Sequence, residues 1–299
     1  MPMKQRIACP ICSSKEHTTV YPALSSEQFS LYSPSESGKE TGEIVRCCAC
    51  NVIYKNPFPD SKTLKEGYEE SIDEEYLTLL PERRRTFESI MDVVEQHARK
   101  GRILDVGCAE GTLLDIAQKR GWEVSGVEPN KHLVTWAKKQ YGLKILQGSL
   151  SNKALRKSSY DVITLLDVIE HVPEPERFLR RCYELLAPGG LLFISTPDFG
   201  SVWSRVMRRH WFYILSIHVF YFTQQTLSAL LLRAGFEVIT TKRYLLRTSL
   251  AYVADKSRNY LGAMGSAFTW VVRALHLKHK AVTYWLGQRM FVARKPAGK

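Results

Sequence analysis

Residues 102–111 read RILDVGCAEG. An apolar run that ends at Gly107, with TLLDIAQKR behind it, predicts a strand, a sharp turn and a helix. In an open α/β sheet a ligand sits just beyond such a strand end. Gly107 lets the chain turn sharply, and Gly111 lets the next helix approach the ligand closely. A dinucleotide fingerprint needs a middle glycine, and here Cys108 and Ala109 stand in its place. A phosphate loop needs a lysine, and Gly111 is followed by Thr112. Glu110 would repel a pyrophosphate. The turn suits a nucleoside without phosphates.

The next apolar segment outward, WEVSGVEPN, ends at Glu128, 23 residues after Asp105. A carboxylate there can accept from both hydroxyls of a ribose. Pro129 and Asn130 start the following helix. Further strands are expected in LKILQG, YDVITLLD, GLLFISTP, FEVITTKRYLL and GQRMFVARK. Helical stretches lie between them, including NKHLVTWAKKQYG and EPERFLRRCYELLAPGG. Strand and helix alternating at this spacing predict right-handed crossovers and a parallel sheet covered on both faces. Uninterrupted apolar strands agree, since they are buried on both sides.

These motifs together resemble the class I S-adenosylmethionine-dependent methyltransferases over residues 102–237. The resemblance rests on LDVGCAEG, on the acidic end of GVEP, and on YDVITLLDVIEHVPEPERFLRRCYELLAPGGLLFISTPD. DVIEHV followed by LLAPGG is its most specific part. It implies an α/β, Rossmann-like sheet of seven strands, the last antiparallel, with S-adenosylmethionine as methyl donor. By position, Asp105, Gly107, Cys108 and Gly111 would line the methionine part. Glu128 would hold the ribose, and Pro129 would border the adenine. Residues 166–168, with Asp167, would pass beside the donor. Where many members carry an acid near the adenine amino group, this chain has Ser149 and Leu150; Ser149 can still accept a hydrogen bond. Asp105 or Glu128 alone could be a turn or helix cap. Both at matching strand ends argue for a ligand.

Asp167, Glu170 and His171 are spaced to face one way if their turn is helical. In some quinone-precursor O-methyltransferases of the family the corresponding positions lie near a divalent cation. Carried over, the trio would bind a metal or supply a base, or else simply tie its loop to backbone. His171 is one candidate base for an acceptor proton. His218, in the loop that covers the substrate in this fold, is the other. His210 and Tyr221 are close to it in sequence, where a histidine is often only packed.

Two C-x-x-C pairs open the chain, Cys9 with Cys12 and Cys47 with Cys50. Each places two thiolates at one turn, the usual construction of a tetrahedral Zn2+ site. Cys48 is an alternative ligand. The arrangement resembles the zinc-ribbon start of many bacterial methyltransferases in sugar, polysaccharide and secondary-metabolite pathways, and four cysteines would make that zinc structural. A polar, Ser/Glu/Gly-rich insert between the pairs is expected to loop out. The expected division is a zinc-ribbon-like module at 1–60, a helical linker or cap at 61–100, and the methyltransferase domain at 101–299. Within the linker, Phe87, Ile90, Met91 and Val94 share one helical face.

The whole chain has 299 residues, 44% of them hydrophobic and 24% charged. That supports a large core. No export signal precedes the first cysteine, and the longest apolar run, residues 211–222, is too short for a bilayer and holds His218. We expect a soluble, cytoplasmic protein. Seven cysteines, five of them before Asn51, fit a reducing compartment. Net charge is +12, and residues 200–299 carry 16 Lys and Arg against 2 acids. This excess suggests an anionic partner: a phosphorylated substrate, a membrane surface or nucleic acid. In KSRNYLGAMGSAFTWVVRALHLKHK, Leu261, Met264, Phe268, Val271 and Leu275 recur at helical spacing. Such a basic amphipathic helix either packs its stripe on its own domain, the more common outcome, or lies on the inner face of a membrane.

The expected function is methyl transfer to a small or lipid-linked acceptor, such as a nucleotide sugar or a polysaccharide precursor. The alternatives are a nucleic-acid methyltransferase and a binding protein without turnover. Against nucleic acid, the Asn/Asp-Pro-Pro-Tyr/Phe motif of many base-modifying members is absent after the fourth strand.

Overall fold

A computed structural model describes residues 6–23, 42–57, 80–215, 217–277 and 280–298. Most of the polar insert, residues 58–60 of the expected ribbon module and residues 61–79 of the expected linker lie outside the described residues. The chain opens with β1 (His17–Tyr21), β2 (Glu43–Cys47) and β3 (Ile53–Asn56), followed by α1 (Leu80–His97). The alternating region then gives β4 (Arg102–Val106), α2 (Thr112–Lys119), β5 (Glu123–Glu128), α3 (Lys131–Tyr141), β6 (Ile145–Gln147) and β7 (Tyr160–Leu166). A single 3-10 turn, Ile169–His171, leads to α4 (Pro175–Leu185) and β8 (Leu186–Pro197). Beyond it come α5 (Val202–Met207), β9 (Phe220–Tyr221), α6 (Gln224–Arg233), β10 (Glu237–Arg243) and β11 (Leu246–Ser249). The chain ends with α7 (Leu250–Leu261), α8 (Ala263–Ala274), β12 (Ala281–Tyr284) and β13 (Gln288–Arg294).

Seven strands form the main sheet in the order β10-β13-β8-β7-β4-β5-β6. β4 pairs in parallel with both β5 and β7, while β13 runs antiparallel to β8 and β10. The last strand is therefore the antiparallel one, as expected. Side chains alternate across the sheet. Ile103, Val162, Phe193 and Val292 pack on one face with Phe87, Ile90, Met91 and Val94 of α1. Their neighbours Leu104, Ile163, Ile194 and Phe291 pack on the other, against Leu179 of α4 and Leu227 of α6. Asn130 caps α3 by accepting from the N–H groups of His132 and Leu133.

Three details depart from the sequence pattern. The LAPGG segment is extended rather than helical, because β8 already begins at Leu186, which pairs with Tyr160. The FEVITTKRYLL run splits: β11 leaves the main sheet and pairs with β12 alone. The apolar stripe of α8 does not pack on the domain. Met264, Phe268, Val271 and Leu275 are 69%, 38%, 40% and 61% exposed. The reason is the contact with α7, which α8 makes through Gly265, Thr269 and Val272 instead. A Cβ on Gly265 would stand 2.5 Å from the Ser257 carbonyl oxygen, so close approach of the helices selects that face.

The amino-terminal strands do not stand apart. β3 pairs with β9, Ile53 opposite Tyr221 and Tyr54 opposite Phe220, completing a four-stranded sheet β1-β2-β3-β9. The segment after β8 is thereby stitched to the cysteine-bearing strands.

Candidate active site

The register of β4 and β5 sets Val106 opposite Val127, so Glu128 lies level with the glycine turn. Gly107 has φ +70, and a Cβ there would meet Val168 Cγ2 at 2.8 Å. The Ala109 N–H donates to Glu128 Oε2 at 2.9 Å, and the Asn130 N–H to Oε1 at 2.8 Å. Glu128 thus faces the turn and braces it. A carboxylate oxygen that accepts one bond keeps capacity for another. Burial pushes the Glu128 carboxyl up to about 7, against the two N–H bonds that lower it.

Asp105 lies beneath the turn and accepts from Thr164 Oγ1 at 2.6 Å. Burial, with the Glu110 and Glu128 charges, raises it to about 7. Glu110 is itself buried. Three carboxyls therefore ring one turn. The sequence shows the sign of Glu110 but not its burial beside the other two.

Two residues of the turn also pack against the core. Cys108 is buried with Leu114 and Leu143, and the Asp105, Glu128 and Glu110 charges act on its thiol. Gly111 has φ +78, and a Cβ there would strike Leu143 Cδ1 at 2.8 Å. It permits the start of α2 to pack closely on its neighbours. Pro129 is half-buried beside Glu128. Ser149 is exposed and bonded to Ser151, while Leu150 is buried in the core with Val127. Only Ser149 of that pair offers a side chain to a ligand.

A cavity of about 210 Å³ adjoins Gly107 and Ala109 and is also lined by Arg83, Phe87, Leu166, Asp167 and Tyr244. Asp167 has φ 55 and is held by Ser195 Oγ at 2.9 Å and Gln288 Nε2 at 3.2 Å. Burial raises its carboxyl, opposed by Ser195, Arg83 and Gln288. Arg83 and Tyr244 were not visible as site residues in the sequence. They come from α1 and from the chain beyond β10, outside every motif.

Asp167 does not face the same way as Glu170 and His171. The 3-10 turn sends those two toward the loop before β9, where His218 joins them. One ligand-type atom from each of Glu170, His171 and His218 lies within 4.8 Å of the others. The imidazole rings are 4.7 Å apart at 75°. His171 Nδ1 bonds the Ile217 carbonyl at 3.1 Å, and His218 Nδ1 bonds the Tyr213 carbonyl at 2.9 Å. A carbonyl only accepts, so both Nδ1 atoms carry protons. Burial pushes His171 down to about 4 and His218 well below its ordinary value, and the Lys55 charge lowers both. Glu170 accepts from Thr196 Oγ1 at 3.1 Å and is pushed well up by burial and by Asp167. His210 is exposed and outside this group; Tyr221 donates to the Leu215 carbonyl.

The four paired cysteines also meet. Cys9 and Cys50 Sγ are 3.6 Å apart, Cys12 and Cys47 Sγ 3.4 Å, and all four lie within 4.8 Å. Cys48 is exposed and outside the cluster. Both pairs close in the same way. The residue after each, Ser13 with φ 62 and Asn51 with φ 59, turns left-handed and donates its N–H to the carbonyl of the first cysteine. A larger hollow, about 510 Å³, opens between α7 and α8. None of the residues at the glycine turn, the histidine pair or the cysteine cluster lines it.

Seven strands in this order, with a glycine turn and an acid at adjacent strand ends, are the architecture of the class I S-adenosylmethionine-dependent methyltransferases. The chain belongs to the methyltransferase domain family, whose model matches residues 78–241. It is 37% identical over 110 residues to a ubiquinone biosynthesis O-methyltransferase of Coxiella burnetii, covering 35% of this chain and 47% of that one. It is 34% identical over 101 residues to the protein of that name in Pseudomonas putida, covering 32% and 44%. The chain spans about half the length of these relatives. Among solved structures it is similar to a methyltransferase of Archaeoglobus fulgidus, with TM-score 0.52 and 18% identity over 75% of this chain and 100% of that one. A Thermotoga maritima methyltransferase gives TM-score 0.51 and 21% identity over 74% and 95%. These two likenesses show the fold.

Proposed function

We propose that the chain transfers a methyl group from S-adenosylmethionine to a hydroxyl oxygen of a small or lipid-linked acceptor. The observation that carries this reading is the His171–His218 pair, two buried imidazoles 4.7 Å apart that burial keeps neutral. They stand one turn beyond Asp167, which lines the cavity next to Gly107. The donor, when bound, supplies an electrophilic methyl on a positively charged sulfur. The ring of Asp105, Glu110 and Glu128 fits it, because buried carboxyls favour a cation and no phosphate competes. Glu128 would hold the ribose hydroxyls with the lone pairs its N–H bonds leave. Arg83, the cation lining the cavity, would take the donor's carboxylate. His218 or His171 would take the acceptor proton as the oxygen attacks.

The same trio offers three ligand atoms to a divalent cation. The buried Lys55 charge that lowers both imidazoles would oppose one there, so we assign the base role. The four cysteines we assign to structural zinc. A tetrahedral ion with Zn–S near 2.3 Å holds sulfurs roughly 3.8 Å apart, close to the separations observed here. Four thiolates leave no open position for catalysis.

The relatives are named for O-methylation in ubiquinone biosynthesis, which supports an oxygen on a lipid-borne molecule. The basic last third equally suits an acceptor bearing phosphate, such as a nucleotide sugar or a lipid-linked sugar. Labelled S-adenosylmethionine offered with polyprenyl phenols, nucleotide sugars, glycolipid extracts and RNA tests this. Label on an acceptor oxygen supports the proposal. Transfer to RNA with steep salt dependence, transfer to nitrogen alone, or no donor binding by calorimetry would each reject it.

A further inference from the structure

In the α7–α8 hairpin the sequence pattern and the packing disagree. It leaves the domain between β11 and β12, which pair only with each other. At 100° per residue, Met264, Phe268, Val271 and Leu275 fall within an arc of about 60°. The residues facing α7, Gly265, Thr269 and Val272, lie about 100° round the helix. Trp270, 70% exposed, stands on the open side as well. Five exposed apolar side chains on a three-turn helix are more than scattered surface residues account for.

The surroundings of the stripe are cationic. Residues 250–280 contain five Lys and Arg and one acid, Asp255. Arg258, Arg273 and Lys280 are exposed, and Arg273 is 3.4 Å from Asp255. Two His, at 276 and 279, lie in the same stretch. A second copy of this chain would bring like charge against like charge. Nucleic acid would match the charge and leave the apolar stripe in water. An anionic bilayer surface matches both, since aromatic and aliphatic side chains enter the headgroup boundary while Lys and Arg stay with the phosphates. Among the described residues no helix is long and apolar enough to cross a membrane, so the contact would be along the surface.

The hairpin is also joined to the cavity. Tyr244 and Leu246 line it, and Leu246 begins β11, which runs directly into α7. We propose that the α7–α8 hairpin docks the protein on anionic lipid, presenting the cavity to an acceptor held in that surface. The docking stands on the hairpin alone; the lipid-borne acceptor rests on the methyl transfer proposed above.

Flotation of the full chain with vesicles tests it. Phosphatidylcholine vesicles with phosphatidylglycerol should bind the chain at least roughly tenfold more than phosphatidylcholine alone, and added salt should release it. The double variant F268S/W270S, both sites exposed, should lose about tenfold or more of that binding. Its calorimetric affinity for S-adenosylhomocysteine and its thermal midpoint should not change. R258E/K280E should lose the preference for anionic vesicles. No binding to either vesicle, or equal binding by wild type and F268S/W270S, would overturn the proposal. So would a dimer in sedimentation that F268S/W270S converts to monomer, which would give the stripe to a second copy. Vesicle binding needs no methyl transfer, so its failure and that of the proposed reaction read out separately.

Discussion

Replacing Asp105 with Asn should stabilise the protein at alkaline pH while damaging its donor site. Asp105 has an ordinary pKa of 3.8 and about 7 in the fold, chiefly because it is buried beneath the turn. The raised value fixes the sign. The contribution to stability is fully present below about 3.8 and is lost as pH rises through about 7. Above that, the native state carries an ionised carboxyl in a place that disfavours it, at a cost of about 4 kcal/mol. Asn cannot ionise, and its Oδ1 keeps the bond from Thr164. Asp105→Asn should therefore match wild type near pH 4 and exceed it by up to about 4 kcal/mol at pH 8, roughly 8 °C in the midpoint. Glu128 titrates in the same window, and because the Asp105 and Glu128 charges repel each other, losing the Asp105 charge would ease its ionisation and add to the difference. Urea or thermal unfolding of the two proteins between pH 4 and 8 measures it. The same variant should bind S-adenosylmethionine more weakly, and lose less for the uncharged thioether S-adenosylhomocysteine. A stability difference independent of pH, or a variant less stable at pH 8, would refute the account of the carboxyl ring.

Donor affinity of the wild type should fall as pH drops below about 7, when Asp105 and Glu128 take up protons; titration calorimetry from pH 8 to 5.5 checks this, and a flat profile would count against it. His218→Gln should lower kcat by about a hundredfold or more with donor affinity unchanged, measured by methyl-transfer kinetics once an acceptor is known. Cys47→Ser, or a strong zinc chelator, should abolish turnover through loss of the β3–β9 pairing, followed by circular dichroism and metal analysis, whereas S-adenosylhomocysteine binding on the far side of the sheet should persist.

Most of the fold was legible because the main sheet is built from contiguous local signals. RILDVG, GVEP and YDVITLLD each carry a strand and its turn within a few residues. Asp105 and Glu128 sit at those strand ends, so their placement followed from topology alone. Glu110 was legible as a charge but not as a buried one, since burial of a turn residue depends on the neighbouring strand. Cys108 and Gly111 show a second kind of gap. The motif reports their place in the turn but not that both pack against Leu143, which only the fold brings there. Arg83 and Tyr244 gave no signal. They reach the cavity from elements about 20 residues before and over 130 after the glycine turn, and only the tertiary arrangement brings them in. The α8 stripe misled because periodicity reports an apolar face without reporting what covers it.

The pairing of β3 with β9 changes what the cysteine-bearing strands are for. β9 follows directly on His218, and the Val219 N–H donates to the Glu170 carbonyl at 2.9 Å. The loop carrying one imidazole is thus pinned on one side to the turn carrying the other, and on the other side to β3. Lys55 of β3 is buried and donates from Nζ to the Leu215 carbonyl at 2.7 Å. Its charge lowers both His171 and His218. A ribbon clipped by four thiols would hold β3 rigid, β3 would hold β9 in register, and Lys55 would keep the imidazoles neutral and able to accept a proton. A buried cation is costly unless it is paired or hydrogen-bonded, so the bond to the Leu215 carbonyl needs β3 and the loop before β9 held together. On the proposed reading the cysteine cluster would help fix β3 there, and the module would then shape the side of the site assigned to the acceptor.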